Sequence, residues 1–334
     1  MIFLSDCICR SPDEGADRLA TRLAALLHRQ GATVLSVNRA APPYSTVTAG
    51  RLFGSGSLRR TLRQARAPVV YLPKSAATPA TALRCLALRT AGCPVWLLLT
   101  ENKPLHRLTR ALLRAAHANF MVLSDSAAQS LVGLHRPVHV LRAGVDCDRF
   151  APVPAARKAQ LKRQYGLPPD RPVILHVGHL KAGRGLRQLR PLTALGTVAL
   201  VCSASTAHDE ALRQELESAG IRIFDAYQPH IEEFYQCADL YAFPVTEAGN
   251  CIELPLSVLE AAAADLPILA APYGALQSWQ TDAGFRFWNP NDPAETRAAA
   301  AQLLAAHAPT RFRALPYDFA HAAVQMAEWV RGAE

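Results

Sequence analysis

The chain has no Cys-x-x-Cys pair, no apolar run long enough to cross a bilayer and no Gly-x-Gly-x-x-Gly fingerprint. Each absence removes a class of protein. Cys7 and Cys9 are separated by one residue, too close for the usual metal-ligand or disulfide spacings. The eight cysteines therefore read as buried reduced thiols of a cytosolic protein. Apolar stretches such as VWLLLT are far short of the roughly 20 residues that a spanning helix needs. The opening MIFLSDCICRSPDEG lacks a charged lead and a cleavable apolar core, so no signal peptide is read there. A tightly held dinucleotide is not indicated. Half of the residues are hydrophobic and 19% are charged, which excludes disorder.

The charge that is present is lopsided. The net charge is +9, but residues 1–150 hold 20 Lys/Arg against 8 Asp/Glu, whereas residues 151–334 hold 16 against 19. A basic half favours an anionic partner: a phosphorylated acceptor, an acidic membrane surface or nucleic acid. Arginine-rich solvated faces account for the same numbers. In LRRTLRQAR, Arg59, Arg60, Arg63 and Arg66 share a short helix whose Leu58 and Leu62 face inward. That helix is a solvated face, a phosphate seat or a dock for anionic lipid. The arginines are scattered without interleaved aromatics, so no specific nucleic acid is expected.

Strand and helix patterns alternate throughout, which predicts an α/β protein built on doubly wound parallel sheets. With 334 residues there is room for two domains. The first spans 1–150 and opens with the strand IFLSD, a loop through Gly15 and an amphipathic helix. Glu101 and Asn102 follow the strand PVWLLLT and so stand at its carboxyl end, where open sheets bind ligands; His106 lies a few residues on. Residues 151–171, proline-rich at both ends, read as a linker. The second domain spans 172–315, and 316–334 form a closing helix. In PVILHVGHLKAGRGLRQL a buried strand runs into a glycine-punctuated loop and then a helix, the arrangement that cradles phosphates. Gly178, Gly183 and Gly185 let the backbone approach an anion. Arg184 brings a permanent charge and two parallel N–H groups, and Lys181 a second charge. Further on, Pro255 starts a helix in which Glu260 is a buried carboxylate that must accept hydroxyl or N–H protons. A phosphate at the helix tip with a diol-binding acid one turn deeper describes a nucleotide ribose site.

The segment PLSVLEAAAADLPILAAPYG resembles the nucleotide-sugar signature of GT-B glycosyltransferases of family 4. That resemblance implies two Rossmann-like domains facing across a cleft, an N-terminal acceptor domain and a C-terminal donor domain, with the last helix crossing back to the first. It implies that Glu260 binds ribose hydroxyls, that the loop holding His179 and Arg184 grips the diphosphate, and that Gly15 faces the donor. In that family another Glu, eight residues before the ribose Glu, holds the sugar; here the position is Ile252, with Glu253 next to it. The family also carries a His near the transferred sugar, where this chain has Glu101-Asn102 and then His106. The implied activity is metal-independent transfer of a hexose from a nucleoside-diphosphate sugar, with retention of configuration and no cofactor. The acceptor is a glycan, a lipid-linked sugar or a small molecule, and the location cytoplasmic, including the inner face of an anionic membrane. Two other readings stay open: a relative that holds a nucleotide sugar or other anion without turning it over, and a nucleic-acid-binding protein using the basic half. Transfer activity separates the first from the enzyme, and a steep salt dependence of affinity marks the second.

Overall fold

A computed structural model describes residues 1–332 apart from 11, 13, 75, 205, 248, 290 and 291. In chain order the elements are β1 (Ile2–Ser5), α1 (Gly15–Arg29), β2 (Thr33–Val37), β3 (Ser45–Val47), α2 (Gly56–Ala65), β4 (Val69–Leu72), α3 (Pro79–Thr90), β5 (Val95–Leu99), α4 (Arg107–Ala115), β6 (Asn119–Val122), α5 (Asp125–Leu131) and β7 (Val138–Val140). They continue as α6 (Ala155–Gln164), β8 (Val173–Gly178), β9 (Thr197–Cys202), α7 (Glu210–Ser218), β10 (Arg222–Phe224), α8 (Ile231–Cys237), β11 (Leu240–Phe243), α9 (Leu256–Ala263), β12 (Ile268–Ala270), β13 (Phe285–Phe287), α10 (Pro293–Ala306) and α11 (Phe319–Arg331). The chain divides into two compact units. One comprises Met1–Ala143, Ile252–Leu254 and Phe319–Glu334; the other comprises Gly144–Cys251 and Pro255–Asp318. Residues 151–171 belong to the second unit, where α6 packs on α8.

The first unit is built on a seven-stranded sheet of order β3-β2-β1-β4-β5-β6-β7 in which all pairs are parallel. Strand order reverses between β1 and β4. Because parallel crossovers are right-handed, the reversal sends α1 to one face and α2–α5 to the other. The core follows suit. Ile2, Leu4, Leu35, Tyr71, Leu97 and Phe120 alternate along their strands and pack with Leu58 and Leu62 of α2, Cys85 and Leu88 of α3, Leu113 of α4 and Leu131 of α5. The opposite face carries α1 and α11 side by side. There His139 is stacked on Trp329 (centroids 4.6 Å apart) and tilted against Trp96 (5.6 Å). Trp329 is thus a packing anchor.

The second unit holds a six-stranded parallel sheet of order β10-β9-β8-β11-β12-β13, reversing between β8 and β11. Its inner strands β9, β11 and β12 are almost wholly apolar and buried, as expected for a sheet covered on both faces. One expectation fails: the segment after the glycine loop is a 3₁₀ helix, Leu186–Ala194, rather than an α-helix. Pro191 sits inside it, lacks the N–H of an α-helical bond and crowds the preceding turn. Among the described residues no helix is long and apolar enough to cross a membrane.

Candidate functional site

The loop from Gly178 to Gly185 leaves the carboxyl end of β8, beside the strand-order reversal where doubly wound sheets bind ligands. Its glycines are required by what surrounds them. A Cβ on Gly178 would stand 2.7 Å from Arg184 Nη2 and 2.8 Å from His176 Nε2. Gly185 has φ +69°, and a Cβ there would lie 2.3 Å from the Pro244 carbonyl oxygen. Gly183, at φ +79°, is met by Glu247 Oε2 at 2.8 Å. The missing side chains let a guanidinium and an imidazole converge on one stretch of backbone.

Arg184 is buried, 5% exposed. Its Nη1 donates to the Asn250 carbonyl, and its Nε has no hydrogen-bond partner among the described residues. No carboxylate pairs with it among those residues. Asn250 in turn donates from Nδ2 to the Gly183 carbonyl (2.9 Å) and to Glu247 (3.0 Å), so the loop after β11 clamps the glycine loop. A buried cation without a counter-charge is costly unless an anion arrives. The remaining members are less enclosed. Lys181 is exposed, and His179 Nδ1 lies 2.9 Å from Thr206 Oγ1.

His176, wholly buried at the end of β8, was not anticipated from sequence. Its Nδ1 is 2.8 Å from the Ala242 carbonyl, which can only accept, so Nδ1 carries the proton and Nε2 presents a lone pair. Burial, and then the positive charge of Arg184, hold its pKa down at about 3. A histidine in the unfolded chain binds its proton near pH 6.5, as roughly expected for a free imidazole. Between those values the unfolded state holds more protons, so stability falls as the pH drops below about 6.5. From pH 7.5 to pH 5 the expected loss from this residue is about 2 kcal/mol. Urea unfolding at the two pH values checks this: the His176→Asn variant should lose less than the parent, and an identical loss would remove His176 as the source.

Glu260 lies in α9, 2% exposed, and its Oε2 accepts a hydrogen bond of 2.8 Å from the Tyr235 hydroxyl of α8. The demand that a buried carboxylate take protons from neighbours is thus met in part by the protein. Pro255 caps the helix from the position before its first turn, which begins at Leu256. The loop after β10 carries an ion pair between Asp225 and Arg213 (2.5 Å).

The other sequence candidates lie in the first unit. Ile252, 9% exposed, has its Cδ1 3.4 Å from where a Cβ on Gly15 would be, so a side chain on Gly15 would press on it. Glu253 is drawn to the start of α5. Its Oε1 accepts from Ser124 Oγ (2.8 Å) and Ser126 Oγ (3.0 Å), and its N–H donates to the Thr100 carbonyl (2.8 Å). Glu101 pairs with Lys103 at 2.5 Å. His106 is exposed and caps α4, its Nδ1 accepting the Leu108 N–H at 3.3 Å. That is an ordinary helix-start task. The structure therefore gathers Gly178, His179, Lys181 and Arg184 in one loop of the second unit, with Glu260 on α9 of that unit. It keeps Gly15, Ile252, Glu253, Glu101 and His106 in the first unit.

Comparison with known proteins finds its family match in the second unit. Residues 171–306 match the family model of glycosyl transferases group 1. The chain is 30% identical over 184 residues to a D-inositol 3-phosphate glycosyltransferase of Xylanimonas cellulosilytica, covering 49% of this chain and 43% of that protein. It is 29% identical over 160 residues to a GDP-mannose-dependent alpha-(1-6)-phosphatidylinositol monomannoside mannosyltransferase of Mycobacterium tuberculosis, covering 43% and 40%. The match thus spans about two-fifths of these curated relatives. Among solved structures, a glycosyltransferase from Rickettsia africae superposes with a TM-score of 0.77 at 14% identity, covering 99% of this chain and 97% of its own. Anabaena Alr3699/HepE, solved in complex with UDP, gives 0.76 at 17%, covering 99% of both chains. The expected fold, two Rossmann-like α/β units of the kind found in GT-B glycosyltransferases, is borne out, and so is the resemblance read from the sequence.

Proposed function

We propose that the protein transfers a sugar from a nucleoside-diphosphate sugar to a hydroxyl acceptor with retention of configuration. The observation that supports this best is Arg184: a buried guanidinium among close-packed glycines that pairs with no carboxylate among the described residues, at the carboxyl end of a sheet in a unit similar to glycosyltransferases. A leaving diphosphate gains negative charge as the anomeric bond breaks, and a fixed cation there stabilises the transition state. Glu260 is suited to the ribose hydroxyls, and Lys181 and His179 to the outer phosphate oxygens. Retention follows from attack on the face that the leaving group departs. The bond from the anomeric carbon to phosphate oxygen breaks, that to the acceptor oxygen forms, and the acceptor proton passes to the departing phosphate oxygen. No protein nucleophile and no divalent metal is assigned to this step, and no chemical role to His106. Glu101 remains a candidate for sugar hydroxyls, as an acid at a strand's carboxyl end.

The acceptor is an anionic or lipid-linked hydroxyl compound, suggested by the basic first half and by the lipid named for the mycobacterial relative. A second reading, a protein that binds nucleotide sugars without turning them over, is favoured by Ile252 where the family has its sugar-holding Glu and by Glu253 being held by two serines. One experiment separates them. A thermal-shift screen with UDP-, GDP-, ADP- and TDP-sugars should raise the midpoint with one nucleotide, because only ligands of the folded state do so. Release of the free nucleoside diphosphate from that donor, insensitive to a chelator, marks the enzyme. Binding without release marks the second reading, and no shift with any of the four sinks both.

A further inference from the structure

We infer that His176 is a positioning residue for Arg184: its Nε2 lone pair takes an Nη2 hydrogen of the guanidinium and so fixes the plane in which that cation meets a leaving diphosphate. This role rests on the charge stabilisation proposed above for Arg184, and it falls to a side chain that the transfer step has not used. His176 stands two places before Gly178 on β8, so both residues face the same side of the sheet. Because Gly178 has no side chain, the space above it is open to its neighbours. Nε2 of His176 lies 2.8 Å, and Nη2 of Arg184 2.7 Å, from the point where a Cβ on Gly178 would stand. The two nitrogens thus flank one small space, an acceptor on one side and donors on the other.

The ordinary reason for a buried histidine is already met by the other ring nitrogen. Pairing between β8 and β11 joins Leu240 to Ile174 and Tyr241 to Leu175, and goes no further. Nδ1 donates to the Ala242 carbonyl at 2.8 Å, one residue past the last pair, and so ties the two strands together where their ladder ends. An asparagine would do as much. Nε2 does nothing for the fold: it is buried and has no hydrogen-bond partner among the described residues. A buried acceptor without a donor costs free energy that an aliphatic side chain in this apolar strand would avoid. The rings of Tyr241 and Phe243, with centroids 6.2 and 6.3 Å from that of the imidazole, hold it in place. Burial and the charge of Arg184 keep the imidazole neutral, with a pKa of about 3, so the lone pair is present throughout the neutral range.

A guanidinium tethered at one nitrogen still swings about that contact. Nη1 of Arg184 is tied to the Asn250 carbonyl. A second tether at Nη2 fixes the plane of the fork, which matters because guanidinium binds phosphate oxygens through parallel N–H groups. Two tethers still leave donors for the anion, since the fork carries five N–H groups and Nε has no partner among the described residues. A charge held in the right plane acts mainly on the transition state, where the diphosphate charge is largest, and little on the bound donor.

The test is steady-state release of nucleoside diphosphate by the full chain from UDP-glucose, GDP-mannose, ADP-glucose and TDP-glucose, followed with the donor that the parent turns over. His176→Asn keeps a donor toward Ala242 and removes the lone pair. It should lower kcat by about tenfold and change KM by less than about twofold, because a misplaced charge is felt mostly in the transition state. His176→Gln sets an amide oxygen where Nε2 stood; it should recover most of kcat, although it gives up the bond to Ala242 and unfolds at a lower temperature. On an Arg184→Ala background His176→Asn should cost nothing further, since a residue that acts through another has no separate effect once the other is gone. A merely structural role predicts the reverse: His176→Gln slower than His176→Asn, and a further loss in the double variant. Either of those results overturns the assignment, as does a parental kcat in His176→Asn beside an impaired Arg184→Ala. Donor binding without release in the parent, or normal turnover in Arg184→Ala, instead sinks the transfer role of Arg184 and this one with it.

Discussion

Arg184→Ala is expected to lower kcat by about 10²- to 10³-fold at saturating donor, the range seen when one charge-stabilising donor is removed from a transition state. The charge on the diphosphate oxygens grows as the anomeric bond breaks, so the guanidinium contributes more at the transition state than in the ground-state complex. KM should therefore change much less than kcat. Arg184 also holds the Asn250 carbonyl, so the alanine variant loosens the clamp between two loops. Arg184→Lys separates the effects. It keeps a charge but lacks the planar fork, and it should recover part of kcat while leaving the unfolding midpoint close to that of the alanine variant. A normal turnover number in Arg184→Ala would remove this residue from the mechanism.

Glu260→Ala should weaken the affinity for the cognate nucleoside diphosphate by about 10- to 100-fold, the value of hydrogen bonds to a charged acceptor in a buried setting. Isothermal calorimetry with the diphosphate alone reads this without any dependence on the sugar. The carboxylate also accepts from Tyr235, so removing it takes one hydrogen bond from a buried hydroxyl. Tyr235→Phe controls for that. If the two variants lose the same affinity, Glu260 acts by ordering α8 against α9 rather than by taking ribose protons. Unchanged affinity in Glu260→Ala contradicts the ribose role altogether.

The parts of the fold that the sequence disclosed are those governed by local pattern. Strands such as VWLLL and LYAF are short, apolar and bounded by turn residues, and α1 has its leucines on one side; each is found where the pattern puts it. The glycine loop was visible because Gly178, Gly183 and Gly185 punctuate a buried strand's exit, and the structure shows a physical reason for each. Long-range partners left no such trace. Nothing in the sequence near Glu253 says that Ser124 and Ser126, well over 100 positions away, would take its carboxylate. His176 reads as an interruption of an apolar strand until Ala242 and Arg184 are seen beside it. Asn250 was legible as a turn residue, not as the clamp on Gly183. The 3₁₀ segment departs from the expected helix because Pro191, within it, cannot donate the N–H of an α-helical bond.

The first unit is assembled from distant stretches of chain, and this sets an order on its birth. Residues 144–318 must leave the ribosome before α11 exists to seal the sheet face that bears Trp96 and His139. At synthesis rates of about 5–20 residues per second, that indole and its neighbours stay bare for roughly 10–35 seconds. The nascent chain should therefore be a customer for trigger-type chaperones during that interval. A length truncated before Phe319 should aggregate although every strand is already present.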